Sequence, residues 1–194
     1  VEENGEIIYW NAGTGWGFNI CEGCGRAEIA TGPKEVSKQM EKHSNLWGGT
    51  CDRPSIKTNV VLTGRHQTVY SALRIKENAK NAGFSKDRTL LNSLGVILCR
   101  SLASLIGVDE SELDYGLKKE GSYYVLYVFD THKGGCGYAS YLLDPKNLEK
   151  ALDKSLDLLN GYTCDCDKEN HGACAKCLVD KKSQHSLDLL SKRR

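Results

Sequence analysis

Residues 123–138 read Y-Y-V-L-Y-V-F-D-T-H-K-G-G-C-G-Y, and the interpretation of the fold begins from this stretch. Its first eight residues are apolar on both faces, which predicts a strand in the interior of a sheet. Three glycines then allow a sharp turn into a helix near Tyr138. Such a junction can offer backbone N–H groups to a phosphate, or its glycines can simply permit close packing. The residues concerned are Asp130, Gly134, Gly135, Gly137 and Tyr138.

Helices are predicted on both sides of this stretch. Residues 87–106 repeat leucine every three or four positions, which predicts a long buried helix, and Gly107 suits its C-terminal stop. A second helix is predicted over 145–159, and a short terminal helix around 183–192. The residues that bound the second helix are Asp144 as N-cap, Pro145 at its first position and Gly161 at its end.

The N-terminal part is predicted to contain short strands and one helix. Alternating apolar residues over 6–10 and 16–21 indicate two strands, and another strand is expected near Ile29. A helix is predicted to begin at Pro33, because proline is favoured at the first helical position. Its apolar face would carry Val36, Met40 and His43.

Residues 58–64 and 67–75 are predicted to form paired strands around the turn Gly64-Arg65-His66. Strands and helices therefore mix without strict alternation. This pattern is typical of an α+β fold with a mixed, mostly antiparallel sheet and a long buried helix. The expected divisions are an N-terminal part over 1–57, an α+β core over 58–160 and a C-terminal part over 161–194.

The composition narrows the class of protein. The chain has 194 residues, 40% hydrophobic, with a net charge of +1, which is ordinary for a soluble globular protein. A near-neutral charge gives no bulk argument for nucleic-acid binding. We expect a cytoplasmic protein without membrane contact, because no uninterrupted apolar run of membrane-spanning length is evident. The chain begins at Val1, and we expect it to be a piece of something longer.

The C-terminal cysteines form the strongest motif. The string C-D-C-D-K-E-N-H-G-A-C-A-K-C ends at residue 177 and contains a C-x-C pair, seven residues and a C-x-x-C pair. Two close pairs of thiolates suit tetrahedral Zn²⁺, and four protein ligands make the site structural. His171 is an alternative ligand in place of one cysteine. The predicted ligands are Cys164, Cys166, Cys174 and Cys177.

A second zinc knuckle is predicted near the N-terminus. Cys21 and Cys24 form C-E-G-C-G, and His43 and Cys51 complete a Cys₃His set. Thioredoxin-like redox chemistry uses the same C-x-x-C spacing, but its motif opens a helix, whereas a strand is expected here. In the simpler interpretation, His43 is a core histidine and Cys51 an ordinary buried thiol. Cys99 and Cys136 have no partner at a ligand spacing and are expected to be unligated.

The order of these motifs resembles the MrfA zinc-binding domain family. The resemblance rests on strand, D-T-H-K-G-G-C-G-Y, leucine-bearing helix and C-x-C…C-x-x-C, over roughly residues 15–180. The usual family motif is D-x-x-P-G-G-x-G-Y, with Lys133 here in the proline's place. A T-D-V-like family motif reads Gln67-Thr68-Val69 and lacks the aspartate.

The resemblance implies an accessory domain with structural zinc. Family members occur at the C-terminus of DEAD/DEAH-type superfamily-two helicases that repair DNA, and in anti-phage systems such as DISARM. Expected partners are therefore helicase motor domains, in the same chain or in a partner subunit, and nucleic acid, with DNA preferred.

The sequence bears on three functional classes. A basic patch near the second knuckle could contact phosphates, although acidic residues lie among its lysines. A docking scaffold for a motor subunit is the alternative, with Leu187, Leu189 and Leu190 as a contact surface. Independent catalysis is not expected, because the chain lacks a phosphate-binding loop and a deaminase triplet. The basic residues are Lys168, Lys176, Lys181, Lys182, Lys192, Arg193 and Arg194.

Overall fold

The computed structural model describes residues 5–51, 55–78, 80, 82–164, 166, 172–179 and 189–191. Several sequence predictions lie outside these residues. They are the alternative ligand His171, the docking residue Leu187, most of the terminal helix over 183–192, and the basic patch apart from Lys176.

The chain divides into two compact units. The N-terminal unit is Ile7–His66, and the C-terminal unit is Gln67–Arg194 together with Val1–Glu6. The division into 1–57, 58–160 and 161–194 stays a prediction.

The N-terminal unit is built from short strands. β1 (Gly5–Asn11) pairs with β5 (Leu62–Thr68). β2 (Phe18–Cys21) lies between β3 (Ala27–Ile29) and β4 (Ile56–Val60), with both pairings antiparallel. The one α-helix among the described residues of this unit is α1 (Lys38–Glu41), which Ser37 caps by accepting the Met40 N–H.

The helix predicted from Pro33 is wrong in its first half. Lys34 has a positive φ of 61°, and its N–H donates to the Asn59 side chain at 2.7 Å, so the backbone cannot be helical there. The helix begins only after Ser37. Met40 and His43 are nevertheless buried, as their shared apolar face predicts.

The predicted hairpin around Gly64-Arg65-His66 is also wrong. These three residues lie inside β5, which pairs with β1. The strand that follows it belongs to another sheet. The backbone therefore continues straight where the glycine indicated a turn, because a partner far away in sequence takes up its hydrogen bonds.

The C-terminal unit is a three-stranded antiparallel sheet covered by helices. Its strands are β6 (Tyr70–Leu73), β7 (Leu113–Glu120) and β8 (Tyr123–Asp130), in the order β6-β8-β7. β8 is the central strand, which confirms the prediction from its apolar sequence. β7 was not predicted, because its L-D-Y-G-L-K-K-E sequence lacks the apolar run of an interior strand.

The long helix α2 (Arg88–Ile106) packs on this sheet. Asp87 caps its N-terminus through the Leu90 N–H at 3.1 Å, and Gly107 ends it in the left-handed conformation. By length and composition α2 would pass as a membrane span, but more than half of its most apolar segment is buried inside the protein, as in the core helix of a soluble protein. The core it shares with the sheet includes Leu98, Leu102, Leu113, Leu126 and Val128.

The helix α3 (Pro145–Gly161) packs against α2. Asp144 caps it by accepting the Lys146 N–H at 2.8 Å, which confirms the predicted start. Buried Ser155 donates to Ser101 of α2 at 2.9 Å. Short 3-10 helices span Phe84–Lys86, Glu110–Glu112 and Ala139–Leu143. The α+β class is therefore confirmed, and the described residues form three small sheets in place of one.

Candidate metal centres

The first cluster forms where β2 ends. Cys21 is the last residue of β2, and the chain turns back so that the Gly25 N–H donates to the Cys21 carbonyl at 2.8 Å. Gly25 has a φ of 77°, which favours glycine. Cys24 lies on the turn itself. The knuckle thus places both thiols on the same side of a tight loop, and a strand, β3, follows it.

The second half of this cluster comes from the segment after α1. His43 follows that helix, and the Cys51 N–H donates to the His43 carbonyl at 3.0 Å. This bond closes the loop 44–50 and brings both side chains to the knuckle. The ligand atoms of Cys21, Cys24, His43 and Cys51 all lie within 4.8 Å of one another.

The distances fit a tetrahedral ion. Zn–S bonds of about 2.3 Å place two thiolates of a tetrahedral site about 3.8 Å apart. The Sγ atoms of Cys21 and Cys51 are 3.7 Å apart, and Cys24 Sγ lies 3.2 Å from His43 Nε2. A disulfide needs an S–S distance of about 2.05 Å, so the sulfurs are spaced for a shared ion and not for a bond.

The orientation of His43 supports the same interpretation. Its Nδ1 lies 2.6 Å from the Met40 carbonyl oxygen, so Nδ1 carries the proton and donates it there. Nε2 is then the unprotonated nitrogen and faces the three thiols. Metal-bound histidines in proteins are fixed in this way, with the second ring nitrogen donating to a carbonyl or carboxylate.

The thiols of this cluster differ in acidity. Burial raises the pKa of the Cys21 thiol, but hydrogen bonds from the Cys24 and Gly23 N–H groups and the neighbouring thiols outweigh it and lower the pKa to about 7. Burial, together with the thiols of Cys21 and Cys24, raises the pKa of Cys51 to about 11. The Cys21 thiol therefore ionises most readily, and the other thiols would release their protons to solvent when a cation binds.

The second cluster lies at the end of the C-terminal unit. Its four ligand atoms, from Cys164, Cys166, Cys174 and Cys177, also lie within 4.8 Å of one another. The Sγ atom of Cys177 is 3.8 Å from that of Cys166 and 3.9 Å from that of Cys174. These separations again match the edge of a tetrahedral zinc–thiolate site.

Backbone N–H groups surround the sulfurs of this knuckle. The Cys174 N–H donates to Cys177 Sγ at 3.2 Å, and the Lys176 N–H donates to Cys174 Sγ at 3.4 Å. The thiol of Cys166 and the N–H of Lys176 lower the pKa of Cys174. Hydrogen bonds from such a turn stabilise the ionised form of the thiols, and this thiolate form is the one that binds a cation.

The second cluster is anchored to α2. Cys166 and Cys177 pack with Val96 and Ile97 of that helix. The Arg100 guanidinium donates to the Cys177 carbonyl and lies 3.3 Å from a Glu110 carboxylate oxygen. The knuckle is therefore attached to the main core through both apolar and charged contacts.

The glycine turn after β8 is occupied by its own aspartate. Asp130 is fully buried, and its Oδ2 accepts the N–H groups of Cys136 and Gly137 at 2.6 Å and of Tyr138 at 3.1 Å. Its Oδ1 accepts the Ala139 N–H at 2.8 Å. The donors that a phosphate would need are thus bound to a carboxylate, which favours the structural interpretation of the turn.

Close packing requires glycine at position 135, and backbone conformation favours it at all three positions of the turn. A Cβ on Gly135 would lie 2.6 Å from the Val69 backbone nitrogen, and φ is positive at Gly134, Gly135 and Gly137. The Tyr138 ring packs against the core of the C-terminal unit. Asp130 and the glycines therefore form a tight turn whose own backbone N–H groups are hydrogen-bonded to the Asp130 carboxylate.

Comparison with known proteins finds a match for part of this unit. Residues 94–178 match the family model of the MrfA Zn-binding domain. This segment is therefore similar to the MrfA Zn-binding domain. It includes Asp130, the glycine turn and the four cysteines of the second cluster, whereas the first cluster precedes it.

One solved structure, of the DUF1998 helicase MrfA bound to DNA, aligns with 74% of this chain at 15% identity and a TM-score of 0.49. The aligned part covers 19% of that helicase, so the chain spans only a small part of its length. No curated protein matches the chain.

The C-terminal unit also brings together three residues that no sequence motif combines. Glu112, His132 and Cys136 offer ligand atoms within 4.8 Å of one another. The sequence gives no signal for this group, because Glu112 precedes β7 and the other two follow β8. Only the pairing of Leu113 with Asp130 across the sheet brings the ends of these strands together.

Proposed function

We propose that the chain is a zinc-stabilised accessory domain of a helicase or helicase-associated protein, and that it helps to engage nucleic acid. The observation that carries the proposal is the tetrahedral spacing of four cysteines inside a segment similar to the MrfA Zn-binding domain. One Zn²⁺ ion in each cysteine cluster would be structural, since four protein ligands leave no open position for chemistry.

The role of the ions is to hold short, loop-rich segments in place. In the first cluster, two ligands come from the β2 knuckle and two from the ends of the loop 44–50. An ion there fixes this loop against the small sheet. In the second cluster, it fixes the described residues of the knuckle, 164, 166 and 172–177, against α2. The free energy of binding structural zinc is about 10 kcal/mol and becomes folding free energy.

The N-terminal unit offers a surface for nucleic acid. All three tryptophans of the chain lie in this unit and are exposed: Trp10, Trp16 and Trp47, the last 81% exposed. Exposed aromatic rings can stack on unpaired bases, and such stacking contributes about 1–3 kcal/mol per base. Arg26 lies beside the loop 44–50, where it donates to the Ser44 carbonyl at 3.3 Å.

The first metal centre connects to this surface through Trp47. Leu46 and Trp47 lie on the loop between the ligands His43 and Cys51, and both are exposed. An ion that fixes the ends of the loop would therefore also fix the position of the Trp47 ring. We infer that this zinc ion orders a nucleic-acid contact and takes no part in a reaction.

The wider setting follows from the same proposal. Motor domains, in the same chain or in a partner subunit, would supply ATP hydrolysis, and this domain would not be an enzyme on its own. DNA repair or anti-phage defence in the cytoplasm is the context we propose, without membrane contact.

Metal stoichiometry tests the first part of the proposal. Elemental analysis of the purified chain should give one zinc ion for each cysteine cluster, with one ion lost in Cys21→Ser and a different one lost in Cys174→Ser. A single ion lost only with Cys174→Ser would leave Cys21 and Cys24 free for thiol redox chemistry. A chain without zinc would refute the proposal.

Binding of fluorescent single-stranded DNA to the zinc-loaded chain tests the second part. Trp47→Ala should weaken binding about tenfold without loss of zinc, whereas Trp47→Phe should largely restore it. Leu156→Ala, on the exposed face of α3, is the matched control. If the chain binds a motor subunit but no DNA, the domain is a docking scaffold and the nucleic-acid part of the proposal is wrong.

A further inference from the structure

We propose that Glu112, His132 and Cys136 form a third cation site, separate from both cysteine clusters and suited to an exchangeable Zn²⁺ ion. The three residues supply one oxygen, one nitrogen and one sulfur ligand, all within 4.8 Å of one another. None of them belongs to the structural zinc centres.

The backbone fixes the positions of Glu112 and His132. The Thr131 N–H donates to the Glu112 carbonyl at 2.9 Å, and the Thr131 hydroxyl donates to the Ser111 carbonyl at 2.7 Å. These bonds tie the 3-10 helix before β7 to the end of β8. The side chains of Glu112 and His132 consequently emerge next to each other.

Cys136 is fixed by the buried aspartate. Its N–H donates to Asp130 Oδ2 at 2.6 Å, and the Gly135 N–H donates to the His132 carbonyl at 2.9 Å. The short loop between His132 and Cys136 is therefore closed at both ends. Two ligands on this closed turn and a third on the 3-10 helix bonded to it require little ordering when an ion binds, which favours binding.

The present contact between two of these ligands is close to what an ion requires. His132 Nδ1 lies 2.7 Å from Glu112 Oε2, the distance of a hydrogen bond. Nitrogen and oxygen ligands of a tetrahedral zinc ion are about 3.4 Å apart. The two side chains would separate by about 0.7 Å, and both reach solvent, with the His132 side chain 59% exposed. Such a movement needs only side-chain rotation.

The ligand types select the metal. A mixed sulfur, nitrogen and oxygen set suits Zn²⁺ and related transition ions, while Mg²⁺ and Ca²⁺ prefer oxygen ligands alone. Three protein ligands leave the fourth position of the ion to water or to a small ligand. The site is thus more open than the cysteine clusters, and its ion should exchange more readily.

Calorimetric titration of Zn²⁺ into the purified, zinc-containing chain tests the proposal. A weaker binding event beyond the tightly held zinc is expected in the wild type. His132→Ala and Cys136→Ser should each weaken it by about tenfold or more, and Cys99→Ser, which removes a thiol of α2 outside the group, should leave it unchanged. Amide resonances of residues 131–137 should shift with the same event.

Two outcomes would overturn the proposal. One is the absence of an additional binding event in the wild type. The other is an additional event that His132→Ala leaves intact, which would assign the weak ion elsewhere. Because His132 is largely exposed, its substitution should not prevent folding, so the test holds even if Cys136→Ser perturbs the turn. Neither outcome depends on DNA binding or on the ions in the cysteine clusters.

Discussion

The two cysteine clusters have similar ligand spacing but lie in units with very different cores. Among the described residues of the N-terminal unit, the buried hydrophobic side chains are Cys21, Cys24, Ala30 and Met40, so half of them belong to the candidate metal cluster. The second cluster instead adds to a core of leucines, isoleucine and valines from α2 and the sheet. Zinc should therefore be the main source of stability in the N-terminal unit. In the C-terminal unit it should only add to an existing apolar core.

The largest expected effect comes from removing one ligand of the first cluster. Cys21→Ser should abolish protection from amide hydrogen exchange over 18–29 and 56–60, because a binding free energy of about 10 kcal/mol is lost from a unit with few other buried contacts. Amides of α2 and β8 should stay protected. Cys174→Ser is the matched variant, and among the described residues its effect should be confined to 164, 166 and 172–179. Protection that persists around β2 in Cys21→Ser would show that this unit does not need the ion.

The apolar core should dominate in the C-terminal unit. Leu102 is fully buried in α2, and Leu102→Ala should lower the free energy of unfolding by about 3–5 kcal/mol, measured by urea denaturation. Zinc content should not change. Leu156→Ala, at a position that is 59% exposed, should change it by about 0.5 kcal/mol or less. Equal effects of the two variants would contradict the placement of the core.

The buried carboxylate should make the next largest contribution. Asp130→Asn replaces a charged acceptor of four N–H groups with a neutral side chain. The amide NH₂ of the asparagine would then point at backbone N–H groups, so donor would meet donor. We expect a loss of about 2–3 kcal/mol in the free energy of unfolding. Lys133→Ala in the same turn is exposed and serves as the control. If Asp130→Asn is neutral while added phosphate binds at the turn, the structural interpretation is wrong.

The smallest expected effect is at the start of α3. Asp144→Ala removes the side chain that accepts the Lys146 N–H, which should cost about 1 kcal/mol, measured by thermal denaturation. Asp144→Ser can still accept this bond and should recover most of the stability. Neither variant should change the stability of the N-terminal unit, so the two units should respond independently to substitution.

Features encoded within about twenty neighbouring residues could be predicted from the sequence. The helix α2, the cap at Asp144 and the C-terminal cysteine set all depend on local spacing or on a single turn. The N-terminal set spans residues 21–51, and its prediction rests on the C-x-x-C pair and on the place of His43 on an apolar helix face. The strand β8 is also local, because its apolar run needs no knowledge of its partners.

Features that depend on distant partners could not be predicted. The Asn59 side chain captures the Lys34 N–H from 25 residues away and removes the first turn of the predicted helix. Gly64 lies within a strand because β1 pairs with it there. The group that contains Glu112 exists only through the register of β7 on β8, which no spacing reveals.

The buried Asp130 carboxylate has a consequence for how the turn after β8 opens. Its charge is shared among four N–H groups in a buried position, so releasing any one of them leaves an underpaired charge inside the protein. The turn should therefore open as a single cooperative event. The four amide hydrogens of residues 136–139 would then exchange with solvent at one common, slow rate.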